Sequence, residues 1–202
     1  MVSVFTRDDS GIGPTPSPGS KVKAENRIWH LQHMSAHKYL SGTALNAMSM
    51  RFMANLGKGI AESEIGYEWV EKPDLYVWLR HQAFRAAAEA LCGPHFLSLN
   101  PGLVEDYWDY VYALPALFKG LPRWLDPEPY RKRDKVLNAV KRWHRFAREH
   151  SDHTKCGTDD PEWDEYWGSK YMKVRHTYAQ GIEGFRGNDD AIAIEDLTLI
   201  FA

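Results

Sequence analysis

Three features of the sequence predict an all-α fold. Apolar residues recur every three or four positions through long segments, the spacing of one helix face. Helix-start signals repeat along the chain: Asn100-Pro101, Asp126-Pro127 and Asp160-Pro161 each set a capping side chain before a proline suited to the first helical position. Alternating runs of Val, Ile and Thr, which would mark strands, are missing, and no internal repeat is visible.

Residues 1–25 read as a polar loop leader, with Gly, Pro and Ser concentrated between Asp8 and Gly19. Residues 26–202 read as one helical portion, with helices over 26–40, 43–60, 73–91, 101–118, 127–150, 161–180 and 190–202. The second of these carries Leu45, Met48, Phe52, Leu56 and Ile60 as an apolar stripe. Lys72-Pro73-Asp74 is a weaker start signal for the third. Pro115 should bend or break the fourth, because its ring lacks an N–H and crowds the preceding turn. The fifth aligns Tyr130, Leu137, Val140, His144 and Ala147, with Val136 and Trp143 beside them. Gly93, Gly120 and Gly181 stand where helices close. The last segment opens on Asp189-Asp190, grows more apolar toward Ala202 and shows no closing signal, which suggests part of a larger fold.

Composition narrows the function classes. Of 202 residues, 44% are hydrophobic and 26% charged, a globular rather than disordered balance. A net charge of −2 argues against nucleic-acid binding through phosphate contacts. Cys92 and Cys156 are too few and too irregularly spaced for a disulfide framework or zinc knuckle, so a reducing compartment is expected. No signal-like segment and no run of roughly 18 apolar residues is present. The expectation is a chain without an anchor, cytoplasmic or peripheral to a membrane.

His30, His33 and His37 lie at i, i+3 and i+7 on one helix, where three imidazoles either ligate a transition metal or form a polar face. No H-E-x-x-H pattern accompanies them, so no metal ligand is assigned. Trp29 and His33 share a face four residues apart. Eight Lys and Arg residues interleave with Trp143 and Phe146 between Arg131 and Arg148, a pattern that grips RNA or an anionic membrane or simply faces water. The acidic run from Asp152 to Glu165 follows at once and favours the solvated face. G-x-S-x-G, Walker and G-x-G-x-x-G motifs are lacking, and no catalytic residue is assigned.

Several segments together resemble one family. LSGTALNAMSMRFMANL (40–56), PALFKGLPRWL (115–125), YRKRDKVLNAVKRWH (130–144) and EDLTLIFA (195–202), with residues 68–72 and 92–101, are similar to consecutive parts of a cytochrome P-450. The likeness is to the sterol 7α-hydroxylase and prostacyclin-synthase clan, especially its fungal members, and runs from about Arg7 to Ala202. It implies a partial P-450 fold: 26–40 resembles the C helix, 43–60 the D, 73–91 the E, 101–118 and 127–150 the F and G pair roofing the substrate pocket, and 190–202 the start of the I helix. In the family a C-helix Trp and a basic residue four positions later contact a heme propionate. Trp29 matches the first, and His33 stands where the family at large has Arg. The complete family member uses heme, O2 and electrons from a reductase to insert oxygen into a lipophilic, sterol-like substrate, and is associated with the endoplasmic-reticulum membrane. Its axial Cys sits in a Phe-x-x-Gly-x-x-x-Cys-x-Gly loop, which neither EALCGPH around Cys92 nor HTKCGTD around Cys156 matches; the Glu-x-x-Arg pair of the family's later helix is missing too. The resemblance therefore implies a heme-monooxygenase fragment that binds no heme and is inactive alone. The rival expectation is a non-catalytic helical module that binds lipid or self-associates through an exposed stripe over 192–201.

Overall fold

The computed structural model describes residues 2–63 and 68–200. They form nine α-helices and one two-stranded ribbon. The helices are α1 (Val2–Arg7), α2 (Ile28–Tyr39), α3 (Gly42–Ala61), α4 (Leu75–Cys92), α5 (Pro94–Ser98), α6 (Leu103–Phe118), α7 (Pro127–His150), α8 (Lys170–Gly181) and α9 (Asp189–Ile200); a short 3-10 turn covers Ala24–Asn26. The all-α expectation holds.

The main core forms beneath α7. Val136, Val140, Trp143 and Ala147 pack with Phe96 of α5, Leu103 and Tyr107 of α6, Met172 of α8 and Leu197 of α9. A second cluster joins Ile28 of α2 to Ala179, Ile182, Phe185, Ala191 and Ile192. Helix α9 feeds both clusters and is buried on several sides, its Glu195 and Asp196 included. With Ile192 and Leu197 at 1% and 2% exposure, the expected open stripe over 192–201 does not exist in its described part; Phe201 lies outside the described residues.

The loop leader differs from expectation in carrying α1, and its Gly/Pro/Ser-rich stretch is ordered around one guanidinium. Arg27, buried ahead of α2, donates to the carbonyls of Gly13 (2.6 Å) and Pro14 (3.1 Å) and to Ser10 Oγ (3.1 Å). Asp8 accepts from the backbone N–H of Trp29 at 3.1 Å, so the leader caps the start of α2.

Other start signals sort by what their side chains actually bind. Asp74, the weaker candidate, caps α4 by accepting from Val77 N at 3.0 Å. Asn100 is buried, donates to the Phe96 carbonyl at 2.8 Å and accepts from Arg142 Nε at 2.8 Å, and α6 starts only at Leu103. Asp160 accepts from Gly157 N at 2.7 Å within a loop and starts no helix. Pro115 neither ends nor breaks α6, which continues to Phe118. Gly181 belongs to α8 rather than following it.

The helix expected over 161–180 is corrected to a hairpin plus α8. Asp164 Oδ1 accepts from the backbone N–H groups of Tyr166 (2.9 Å) and Trp167 (2.7 Å), closing a turn between Trp163–Asp164 and Gly168–Ser169. Gly168, at φ 71°, lies against the backbone of Leu91, Cys92 and Gly93 at the end of α4, where a β-carbon would collide. Turn chemistry and this close approach override helical spacing.

Candidate functional site

Trp29 and His33 do share a face of α2, and that face is exposed. With Ile12 from the leader, Ala36, Tyr171 and Arg175 of α8, and Leu199 of α9, they line an open groove of about 340 Å³. That volume is at the low end of the roughly 300–1,000 Å³ of small-molecule sites, and the groove is open to solvent, one wall rather than an enclosing pocket. The Trp29 indole N–H is committed to the Phe5 carbonyl at 3.1 Å, and its ring tilts against Phe5 at 5.3 Å. A ligand could take that donor only by displacing Phe5. His33 reaches the groove without such a tie to the leader, its ring 6.4 Å from that of His37. His30 turns away to the Ile12 carbonyl at 2.9 Å, so the three imidazoles of α2 do not converge on one point.

Behind the groove lies a buried ionic network. Arg175 Nη2 donates to Glu195 Oε1 at 3.0 Å and to the Glu195 carbonyl at 2.6 Å, while Arg175 Nε donates to Asp196 Oδ1 at 3.0 Å. Gln32 of α2 and Tyr178 of α8 also donate to Glu195 Oε1, at 2.7 and 3.0 Å. The opposite oxygen, Asp196 Oδ2, lies 2.9 Å from His144 Nε2 of α7, although the two groups are not aligned as a hydrogen bond. His176 stands beside His144, ring centroids 4.8 Å apart. Burial would raise the Asp196 carboxyl, but contact with His144 and the Arg175 charge outweigh it and hold the group below its ordinary value. Burial, then the neighbouring His144, pushes His176 down to about 2, leaving that imidazole neutral.

Sequence reasoning missed this network, apart from His144, which it placed on the apolar face of α7. A signal was present for part of it: Glu195-Asp196 sets two adjacent acids into an otherwise apolar segment, whereas Arg175-His176 lies in a polar one.

The basic face of α7 is spent on neighbouring acids. Lys135 pairs with Asp106 at 2.7 Å, Lys141 with Asp190 at 2.7 Å, Arg148 with Asp189 at 3.3 Å and Arg131 with Glu128 at 2.7 Å. These pairs agree with the solvated, salt-bridged reading of this face.

Neither thiol lines the groove. Cys92 is fully buried, and burial pushes its thiol well up. Cys156 is half-buried with Sγ on the His153 carbonyl at 2.9 Å, its thiol also raised chiefly by burial.

Comparison with known proteins identifies the family. The chain is 34% identical over 185 residues to the cytochrome P-450 monooxygenase fsoE of Humicola fuscoatra, covering 90% of this chain and 32% of that protein. It is 33% identical over 178 residues to the monooxygenase efuG of Hormonema carpetanum, covering 84% and 30%. To calL of Penicillium decumbens it is 31% identical over 182 residues, covering 89% and 33%. This chain belongs to the cytochrome P-450 superfamily. Its P-450 relatives here are fungal, and the chain spans about a third of their length. No family model and no solved structure matches it.

Proposed function

We propose that this chain is the C-to-I-helix portion of a heme-dependent monooxygenase, with residues 1–25 as leader and 26–202 as part of one P-450 domain. In the complete polypeptide the bound heme would supply oxygen activation; here the chain's own residues would frame one side of it. The carrying observation is the groove, which brings the Trp29–His33 face of α2 together with Leu199 of α9. The residues fit heme in part. On this reading His33, exposed on that face, would donate to a propionate, and Trp29 would join it only by giving up the Phe5 carbonyl. Neither cysteine lines that wall, and a buried thiol with a raised pKa is a poor thiolate ligand. By itself the chain would therefore bind no heme as a thiolate and catalyse nothing.

The substrate class we propose is lipophilic and sterol-like, with α6 and α7 as the pocket roof and electrons coming from a reductase. Supporting a lipid-facing role, Phe118, Leu121, Trp124 and Leu125 form an exposed apolar connection between those helices, Phe118 and Trp124 being over 80% exposed. The same observation favours the second reading, a non-catalytic lipid-binding module, over self-association. Any self-association would use the open Leu45, Met50 and Met53 of α3 rather than α9.

Reconstitution with hemin tests the first reading. The reduced, CO-treated chain should show no thiolate-type red shift of its Soret band, and such a shift would overturn the assignment. Flotation with neutral-lipid vesicles, before and after Phe118→Ser with Trp124→Ser, tests the second: binding by the parent chain that the double variant loses supports a lipid-facing tip.

A further inference from the structure

Three side chains from three helices converge at the inner end of the buried network. His144 of α7, His176 of α8 and Asp196 of α9 are all at least 98% buried, and their ligand-type atoms lie within 4.8 Å of one another. None of His144 Nε2, His176 Nδ1 and Asp196 Oδ2 makes an aligned hydrogen bond; the first and last touch each other only as an ion-pair contact at 2.9 Å. Buried polar atoms without partners are uncommon and costly, and three facing one another ask for a shared partner. We propose that His144, His176 and Asp196 form a divalent transition-metal site of the zinc class, independent of any heme.

The donor chemistry suits that ion: two imidazoles and one carboxylate are a usual zinc set. In the tetrahedral arrangement usual for zinc, bonds of about 2.0–2.2 Å put two ligand atoms roughly 3.3–3.6 Å apart. The widest separation here, up to 4.8 Å, therefore closes by about 1 Å or a little more when the ion binds, within reach of a side-chain rotation. The 2.9 Å between His144 Nε2 and Asp196 Oδ2 already suits adjacent positions on one ion. The far sides of two ligands are held. Arg175 Nε donates to the other Asp196 oxygen at 3.0 Å, and the Gln180 amide lies 3.4 Å from His176 Nε2. Of the neighbouring cations, Arg175 is already paired with Glu195 and Asp196, and Arg148, which also acts on His176, is paired with Asp189.

The role of such an ion would be to pin α9 against α7 and α8. Leu199, one turn beyond Asp196, would thereby be fixed in the groove wall.

The test uses the full chain, freed of metal with chelator and refolded with or without one equivalent of Zn²⁺. Elemental analysis after dialysis should find one zinc per chain, and Co²⁺ in its place should give the intense visible bands of a low-coordinate site. Zinc at about one hundred times its Kd should shift the folding equilibrium roughly 100-fold toward the folded state, read as a rise in Tm. His176→Phe keeps an aromatic ring against Trp167 while removing the nitrogens; it should retain helical circular dichroism and lose both zinc and the Tm rise. A parent chain that retains no zinc, folded or not, would overturn the proposal. So would a His176→Phe chain that binds zinc as tightly as the parent.

Discussion

Helices α3 and α7 are of similar length, 20 and 24 residues, and invert the usual expectation. The segment of α3 is rich in Ala, Met and Leu, yet none of its residues is fully buried; Met48, Phe52 and Leu56 are half-covered, while Leu45 and Ile60 are open. The α7 segment is crowded with Lys and Arg, yet it buries eight residues and forms the floor of the main core. The difference lies in neighbours rather than composition. Helix α3 packs chiefly on α4 alone, whereas α7 is covered by α5, α6, α9 and the hairpin. A charged helix buries well when its charges are confined to one face and its apolar stripe meets several partners.

The largest effect should come from cutting the stripe at its centre. Trp143, fully buried, packs on Phe96 and Trp167 and donates to the Tyr166 carbonyl at 2.8 Å. Trp143→Ala should cost about 4–5 kcal/mol in urea denaturation, from lost contacts and the cavity left behind. If the loss is under about 2 kcal/mol, α7 is not the centre of the core.

Next comes the buried network that ties α8 and α9 behind the groove. Arg175→Met removes the cation shared by Glu195 and Asp196, and should cost about 3–4 kcal/mol, because breaking a buried pair leaves charge uncompensated. A neutral or stabilising result would mean that water already reaches these carboxylates.

The hairpin beneath α7 gives a smaller, pH-linked effect. Asp164 pairs with Lys173 and accepts from Trp167 N and from Ser151 Oγ at 3.0 Å. Burial would raise this carboxyl, but the Lys173 and Trp167 contacts prevail and hold it below the ordinary range. A carboxylate lowered on folding contributes stability above its unfolded value, about 3.9, and loses it as pH falls through the folded value. Asp164→Asn should therefore cost about 1–2 kcal/mol near neutrality. Compared with the parent, it should flatten the fall in stability at the acid end, below about pH 4, in a pH series of denaturation midpoints.

The smallest effect closes the comparison on the α3 side. Leu56→Ala, half-buried against α4, should cost about 1 kcal/mol, well below what Trp143→Ala costs. An equal loss at the two sites would erase the distinction between an edge helix and a core helix.

Much of the fold was readable beforehand because helical periodicity is local. The stripe Leu137, Val140, His144 and Ala147 needed only 3.6-residue spacing to be found, and α7 has the expected bounds. The hairpin before α8 was not readable, since it depends on Gly168 meeting the end of α4, 75 residues away in the chain. Trp29 and His33 were found on one face as expected, but the Phe5 carbonyl that occupies the indole N–H comes from a leader read only as loop.

What the sequence alone determined, then, is the helical class, the polarity of each helix face and membership in a heme-monooxygenase family, because these rest on short-range spacing and on the order of motifs. Tertiary structure decided which apolar faces find cover and which charges lose their water. It set Arg175, Glu195, Asp196, His144 and His176 together, although α7 and α9 lie tens of residues apart. Burial is a property of neighbours in space, and a charged residue becomes costly or useful only once those neighbours have taken water's place.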